Sequence, residues 1–139
     1  MATMHVEVVS AERAVLSLEA AELYARGVEG QIGILPGHQP SLIALDVGPV
    51  KVVGADGTVE LVAVHNGLLF VDAEKGCIVL ADLAEPASEI DVRRARAAVA
   101  EVEQRLASDP HDEVLLQSLR KHRVRLEVAE QAGTGTPAR

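Results

Sequence analysis

The sequence predicts a β + α protein, with an N-terminal β-sandwich followed by a C-terminal antiparallel two-helix hairpin. Three observations predict it. Up to Glu85, short β-branched runs alternate with turn signals. Nine of the 11 glycines precede Pro86, and none interrupts residues 86–132. Charge divides at the same place: residues 1–85 hold 4 basic and 12 acidic side chains, whereas residues 86–139 hold 9 of each. These shifts set the expected boundaries, a β domain over 1–85, a helical hairpin over 86–132 and a disordered tail over 133–139.

The strand runs, in order, are HVEVVS from His5, VKVV from Val50, VELVAV from Val59, LLFV from Leu68 and CIVLA from Cys77. ADGT (residues 55–58) and AEKG (residues 73–76) stand between them as hairpin turns. Five or more short strands with turns at this spacing argue for a sandwich or barrel. The segment AERAVLSLEAAELYAR, Ala11 to Arg26, dissents, because its Ala, Leu and Glu content favours helix. Composition leaves that segment open.

After Pro86, SEID (residues 88–91) fits a capping box and predicts a helix starting at Ser88. Ala95, Val99, Val102 and Leu106 then recur at four, three and four residues, which lays a narrow apolar stripe on one face. SDPHD should stop it, with Asp109 capping a second helix and Pro110 in its first turn. Leu115, Leu119, Leu126 and Ala129 form the second stripe with His122 among them, and Gly133 ends it. So thin and Ala-rich a seam cannot hold two helices alone, so the hairpin must dock on the β domain or a partner.

Several functions are excluded by residue content. Thirteen basic against 21 acidic side chains, with Tyr24 and Phe70 the only aromatics, provide no basic groove and no stacking platform for nucleic acid. The longest apolar run, Leu61 to Val71, is short of the ~20 residues of a spanning helix and contains His65, Asn66 and Gly67. The lone Cys77 forbids a disulfide framework and points to a reducing compartment. His5, His38, His65, His111 and His122 lack metal-ligand spacing, so no metal is expected. Gly27, Gly30 and Gly33 form G-x-x-G-x-x-G, which matches neither a phosphate loop nor a dinucleotide fingerprint. With no G-x-S-x-G elbow, no catalytic residue is assigned, and an interaction protein is favoured over an enzyme.

GVEGQIGILPGHQPSLIALDVGPVKV, Gly27 to Val52, resembles the signature of the epsilon subunit of bacterial F-type ATP synthase, G-x-E-G-E-I-G-I-L-P-G-H-A-P-L followed by a Gly. HVEVVSAERAVLS, HNGLLFVDAEKGCIVLADLAE and IDVRRA follow the family's order, so the likeness covers nearly all of Met1 to Leu106. It implies a sandwich of about ten strands, with Ala11 to Arg26 as strand rather than helix. It also implies a rotor subunit that couples the c-ring to gamma during proton-driven ATP synthesis, catalyses nothing itself, and inhibits ATP hydrolysis through its hairpin. The partners so implied are gamma, the c-ring, and the alpha and beta subunits, at the cytoplasmic face of the cell membrane and attached to it only through the complex.

Three sets of site residues follow from that resemblance. Glu29, Gln31 and His38 belong to the segment expected to face the c-ring and gamma, although its glycines and Pro36 equally serve to shape a loop. Gln31 stands where the family usually has an acid, which removes one charged contact. Ile90, Asp91, Arg94 and Ala95 match the I/L-D-x-x-R-A motif with which some members bind regulatory ATP; Asp91 as a helix cap and Arg94 as a solvated side chain is the other reading. Within RKHRVR, Arg120, Lys121, Arg123 and Arg125 match basic residues that meet an acidic loop of beta when the hairpin extends, against a merely solvated helix face. Apart from the rotor subunit, a free nucleotide-binding regulator that uses the hairpin is the alternative.

Overall fold

The computed structural model describes residues 2–133. Seven strands come first: β1 (Met4–Ser10), β2 (Ala14–Gly27), β3 (Gly30–Ile34), β4 (Ser41–Leu45), β5 (Gly48–Gly54), β6 (Val59–Asp72) and β7 (Gly76–Pro86). A 3-10 turn (Ala87–Glu89) leads into helices α1 (Val92–Ser108) and α2 (Glu113–Gly133). β1 lies antiparallel to β2 and parallel to β7, β7 antiparallel to β6, β6 to β5, and β5 to β2. The sheet thereby closes on itself around Val6, Val8, Leu23, Val52, Leu69 and Val79, all fully buried.

Seven strands stand where about ten were expected, because pieces that read as separate run through as one. VELVAV and LLFV are the two halves of β6. The join is Asn66, at φ 62°, followed by Gly67 at φ 151°. Before it Val62 and Val64 point into the core, and after it Leu69 and Val71 do, so the inward-facing set changes parity there. Gly67 is obligatory, since a Cβ at that position would lie 2.2 Å from the carbonyl oxygen of Leu80.

The stretch of helical composition forms β2, as the resemblance implied. Its Ala20, Leu23 and Ala25 are buried, and it pairs with β1, β3 and β5. Pairing on both edges outweighs a propensity difference of a few tenths of a kcal/mol per residue. Both expected turns are present: the Asp56 carboxylate accepts from the backbone and hydroxyl of Thr58, and that of Asp72 accepts from the Glu74 and Lys75 amides. Gly57 and Gly76 take the positive φ that such turns need.

Both helix starts lie three residues or more beyond their expected positions. Ser88 falls inside the 3-10 turn, and the Asp91 carboxylate caps α1 by accepting from the Arg94 amide at 3.1 Å. Ile90, extended and buried beneath the hairpin, breaks the helical path between them. Asp109 closes α1 rather than opening α2, donating its amide to the Arg105 carbonyl. The Asp112 carboxylate caps α2 by accepting from the Val114 and Leu115 amides. Of the expected tail, residues 134–139 lie outside the described residues.

The hairpin lies against the sheet. Val124, Val128 and Ala129 of α2 and Ala95 of α1 pack with Ile90 onto Val47, Leu61 and Ala63. Of the expected α2 stripe, Leu119 and Ala129 are buried and Leu115 and Leu126 half-buried; Val124 and Val128 complete the buried face. They escaped the seam pattern because they face the sheet, whereas the stripe was drawn for helix against helix.

Candidate functional site

Three surfaces carry the candidate residues, and no helix among the described residues is long and apolar enough to cross a membrane. The first surface is the outer face of β4, the second half of β6 and the first half of β7. Strand register aligns Leu42, Phe70 and Ile78 in one row across the strands, and Ala44, Leu68, Leu80 and Val9 in the next. Leu42, Leu68, Phe70, Ile78 and Leu80 are between 36 and 62% exposed. A contiguous apolar area of this kind marks an interaction surface. Sequence reasoning did not single it out, yet a signal was present: GLLFV and CIVL are apolar at both parities, whereas a strand with one wet face alternates.

The second surface holds Glu29, Gln31 and His38. They do not lie on one loop, because β3 intervenes, pairing Gln31 with Arg26 and Gly33 with Tyr24. Glu29 is exposed at the β2–β3 turn and Gln31 begins β3. His38 lies past the opposite end of that strand, a separation of roughly 15 Å at ~3.3 Å per residue. Its Nδ1 lies 2.8 Å from the Gln39 carbonyl. The glycines here have structural roles: the Tyr24 ring lies over Gly33, where a Cβ would approach it to 3.0 Å, and Gly37 has φ 86°. Lys51 in turn sits 5.2 Å from the Tyr24 ring centroid. A cleft of about 900 Å³ opens beside them, lined by Tyr24, Arg26, Gln31 and Lys51 and by Glu127 of α2.

The third surface is the hairpin and its seat. Arg120 ion-pairs with Asp46 between β4 and β5 at 2.8 Å, Arg125 with Glu85 of β7 at 2.9 Å, and Arg123 with Glu103 of α1 at 3.2 Å. Arg26 reaches Glu127 at 3.8 Å, and Arg13 pairs with Glu89. Of the four basic residues expected to meet beta, only Lys121 has no ion pair among the described residues. The cluster is therefore no free basic surface in this docked state: Arg120 and Arg125 clasp the hairpin to the sandwich, and Arg123 ties α2 to α1. Each exposed pair contributes only ~0.2–1 kcal/mol, so the clasp is weak and several-fold redundant.

The four residues of the ATP motif divide in two. Ile90 and Ala95 are buried in the hairpin's seat. Asp91 uses a carboxylate oxygen as the α1 cap. Arg94 is exposed, and its guanidinium has no ion pair among the described residues. The guanidinium of Arg94 at the positive end of α1 can receive a phosphate. No group of three or more potential metal ligands occurs among the described residues.

Beneath α2, His65 is the one buried polar side chain among the described residues, 2% exposed. Its Nε2 lies 3.2 Å from the Glu85 carboxylate oxygen that also takes Arg125. Burial pushes the His65 pKa down, opposed by Glu85 and reinforced by Lys121 and Arg125. His122 is lowered too, by burial and then by Arg125.

This architecture has known relatives. The family model for the beta-sandwich domain of the ATP synthase delta/epsilon chain matches residues 3–87. The ATP synthase epsilon chain of Streptomyces griseus is 45% identical over 98 residues, covering 70% of this chain and 78% of that one. That of Bordetella avium is 43% identical over 115 residues, covering 81% and 80%. Among solved structures, a chain of the Euglena gracilis mitochondrial ATP synthase superposes with TM-score 0.71 at 22% identity, over 97% of this chain and 82% of that chain. One from the central stalk and c-ring of the Tetrahymena thermophila mitochondrial enzyme does so with TM-score 0.54 at 15% identity, over 93% and 95%. The sandwich match and the extent of sequence identity lead to one assignment: the chain belongs to the delta/epsilon chain family of ATP synthase subunits.

Proposed function

We propose that the chain is the epsilon subunit of the ATP synthase central stalk, a non-catalytic rotor component on the cytoplasmic face of the cell membrane. Residues 1–85 form its rotor-binding unit and residues 86–132 its regulatory hairpin, which restrains ATP hydrolysis when it leaves its seat and reaches the alpha and beta subunits. The observation that carries this reading is the bare apolar area of Leu42, Leu68, Phe70, Ile78 and Leu80 on a sandwich whose opposite need, a cover for Leu61 and Ala63, is met by α2. Gamma is the cover for the first area. Glu29 and the exposed Val28 offer a protruding turn toward the c-ring with Gln31 beside it, while His38, past the far end of β3, belongs to the gamma-facing part of the same segment.

Co-purification with gamma tests the reading. Phe70→Lys should leave the sandwich folded, since the side chain is already partly in water, and should weaken gamma binding at least tenfold, as truncating a central anchor does. Unchanged gamma binding by a Phe70→Lys, Leu42→Lys double variant would refute this face as the contact. A free nucleotide-binding regulator is not favoured, because the named relatives are ATP synthase chains and the motif's Ile90 and Ala95 are committed to packing. ATP binding at Arg94 and Asp91 remains part of the proposal as a weak regulatory interaction.

A further inference from the structure

We propose that His65, Glu85 and Arg125 make the docking of the hairpin proton-sensitive, so that acidification releases α2 from the sheet. His65 has the same outward parity as Leu61 and Ala63, on which α2 packs. Glu85 of β7 lies between it and the helix, one carboxylate oxygen meeting both His65 Nε2 and Arg125 Nε. That geometry puts the imidazole proton on Nε2, donated to Glu85, and leaves Nδ1 as a buried atom with no hydrogen-bond partner among the described residues. An added proton must go on Nδ1, where no acceptor waits and where Lys121 and Arg125 repel it. Released from α2, the same ring meets water and takes the proton freely.

The sign follows from linkage. Burial, first, and the cations of α2 lower the docked pKa of His65, so the released state binds more protons below the ordinary histidine value of ~6.5. Docking is complete above that value and weakens as pH falls through it toward the lowered one. His122 on α2 acts in the same direction, with Glu85 and Glu101 of α1 opposing weakly. Arg120 with Asp46 is an exposed pair at the same interface, and Arg123 with Glu103 is an exposed pair between the two helices. The consequence for ATP hydrolysis rests on the hairpin reading above; the release itself does not.

The test uses the full chain with dyes on Glu74→Cys, in the β6–β7 turn, and Ser108→Cys, at the hairpin turn; Cys77, 1% exposed, stays unlabelled. Energy transfer is followed from about pH 7.5 to about pH 5.5, the range of histidine titration. Expected is a several-fold fall in the docked-to-released ratio for the parent and a docked signal persisting to lower pH for His65→Gln, which keeps the donor toward Glu85 without titrating. Coincident profiles overturn the proposal. Should His65→Gln fail to dock at any pH, the imidazole titration of the unsubstituted chain decides by nuclear magnetic resonance. A His65 titrating at or above the ordinary histidine value would overturn it, and a lowered one would uphold it. Because neither measurement involves gamma or ATPase activity, failure here is distinct from failure of the rotor assignment.

Discussion

Nη2 of Arg120 lies 2.8 Å from both carboxylate oxygens of Asp46, tying helix α2 to the β4–β5 turn across 74 residues of chain. The same arginine was expected, from its basic neighbourhood, to serve an acidic partner. Both uses draw on one charge, so on the proposed reading a hairpin leaving its seat would exchange an internal acid for an external one rather than create a new ion pair.

The Arg120–Asp46 pair should therefore couple weakly. In a double-mutant cycle of Arg120→Ala and Asp46→Asn, the coupling should be ~0.2–1 kcal/mol in urea unfolding, because both side chains are partly in water. It should shrink further at ~1 M salt, where the Debye length is about 3 Å. A coupling above about 2 kcal/mol would mean that the pair is a desolvated lock.

Two glycines with positive φ should respond differently to alanine. Gly57, at φ 89°, has open space where a Cβ would go, so Gly57→Ala should cost only the ~1–2 kcal/mol of the left-handed conformation. Gly67→Ala meets the Leu80 carbonyl as well and should cost upwards of ~3 kcal/mol or prevent folding. Thermal unfolding of the two variants ranks them; equal midpoints would contradict the close packing of β6 on β7.

Cap and ligand roles separate at the start of α1. Arg94→Ala should lower ATP affinity in calorimetry while leaving stability within ~0.5 kcal/mol, since the exposed side chain has no ion pair among the described residues to lose. Asp91→Ala should cost ~1 kcal/mol of stability through the lost cap, whatever it does to ATP. Unchanged affinity in Arg94→Ala would remove this helix end from the nucleotide site.

Acid should loosen the β6–β7 turn. Amide donors from Glu74 and Lys75 hold the Asp72 carboxyl below its ordinary value. A depressed folded pKa means that the turn's contribution is complete above the ordinary carboxylate value of ~3.9 and is lost as pH falls through the folded one. Asp72→Asn should flatten the acid limb of a stability-against-pH curve. An acid limb identical to that of the parent would assign the loss to other carboxylates.

Much of the fold was legible because its signals are local. Period-two runs, the ADGT and AEKG turns and the glycine-free stretch after Pro86 each act within a few residues. What escaped depends on distant chain. Asn66 joins two apparent strands into β6 because β5 pairs with one half and β4 with the other. Ser88 yields the cap to Asp91 because Ile90 is drawn into the hairpin's seat. Likewise Glu29 and His38, close in a glycine-rich stretch, are parted by β3, whose existence depends on pairing with β2.

The sequence by itself determined the order of sheet and helices, the change near Pro86, the need of a thin-seamed hairpin for a seat, and, through its glycine–proline signature, the family. Only the tertiary structure decided where the charges go and which apolar face stays bare. It spends Arg120 and Arg125 on Asp46 and Glu85, buries His65 beneath α2, and leaves Leu42, Phe70 and Ile78 uncovered. The physical reason is range: turns and caps are settled by neighbours along the chain, whereas burial and ion pairing depend on surfaces that meet only after the sheet has closed.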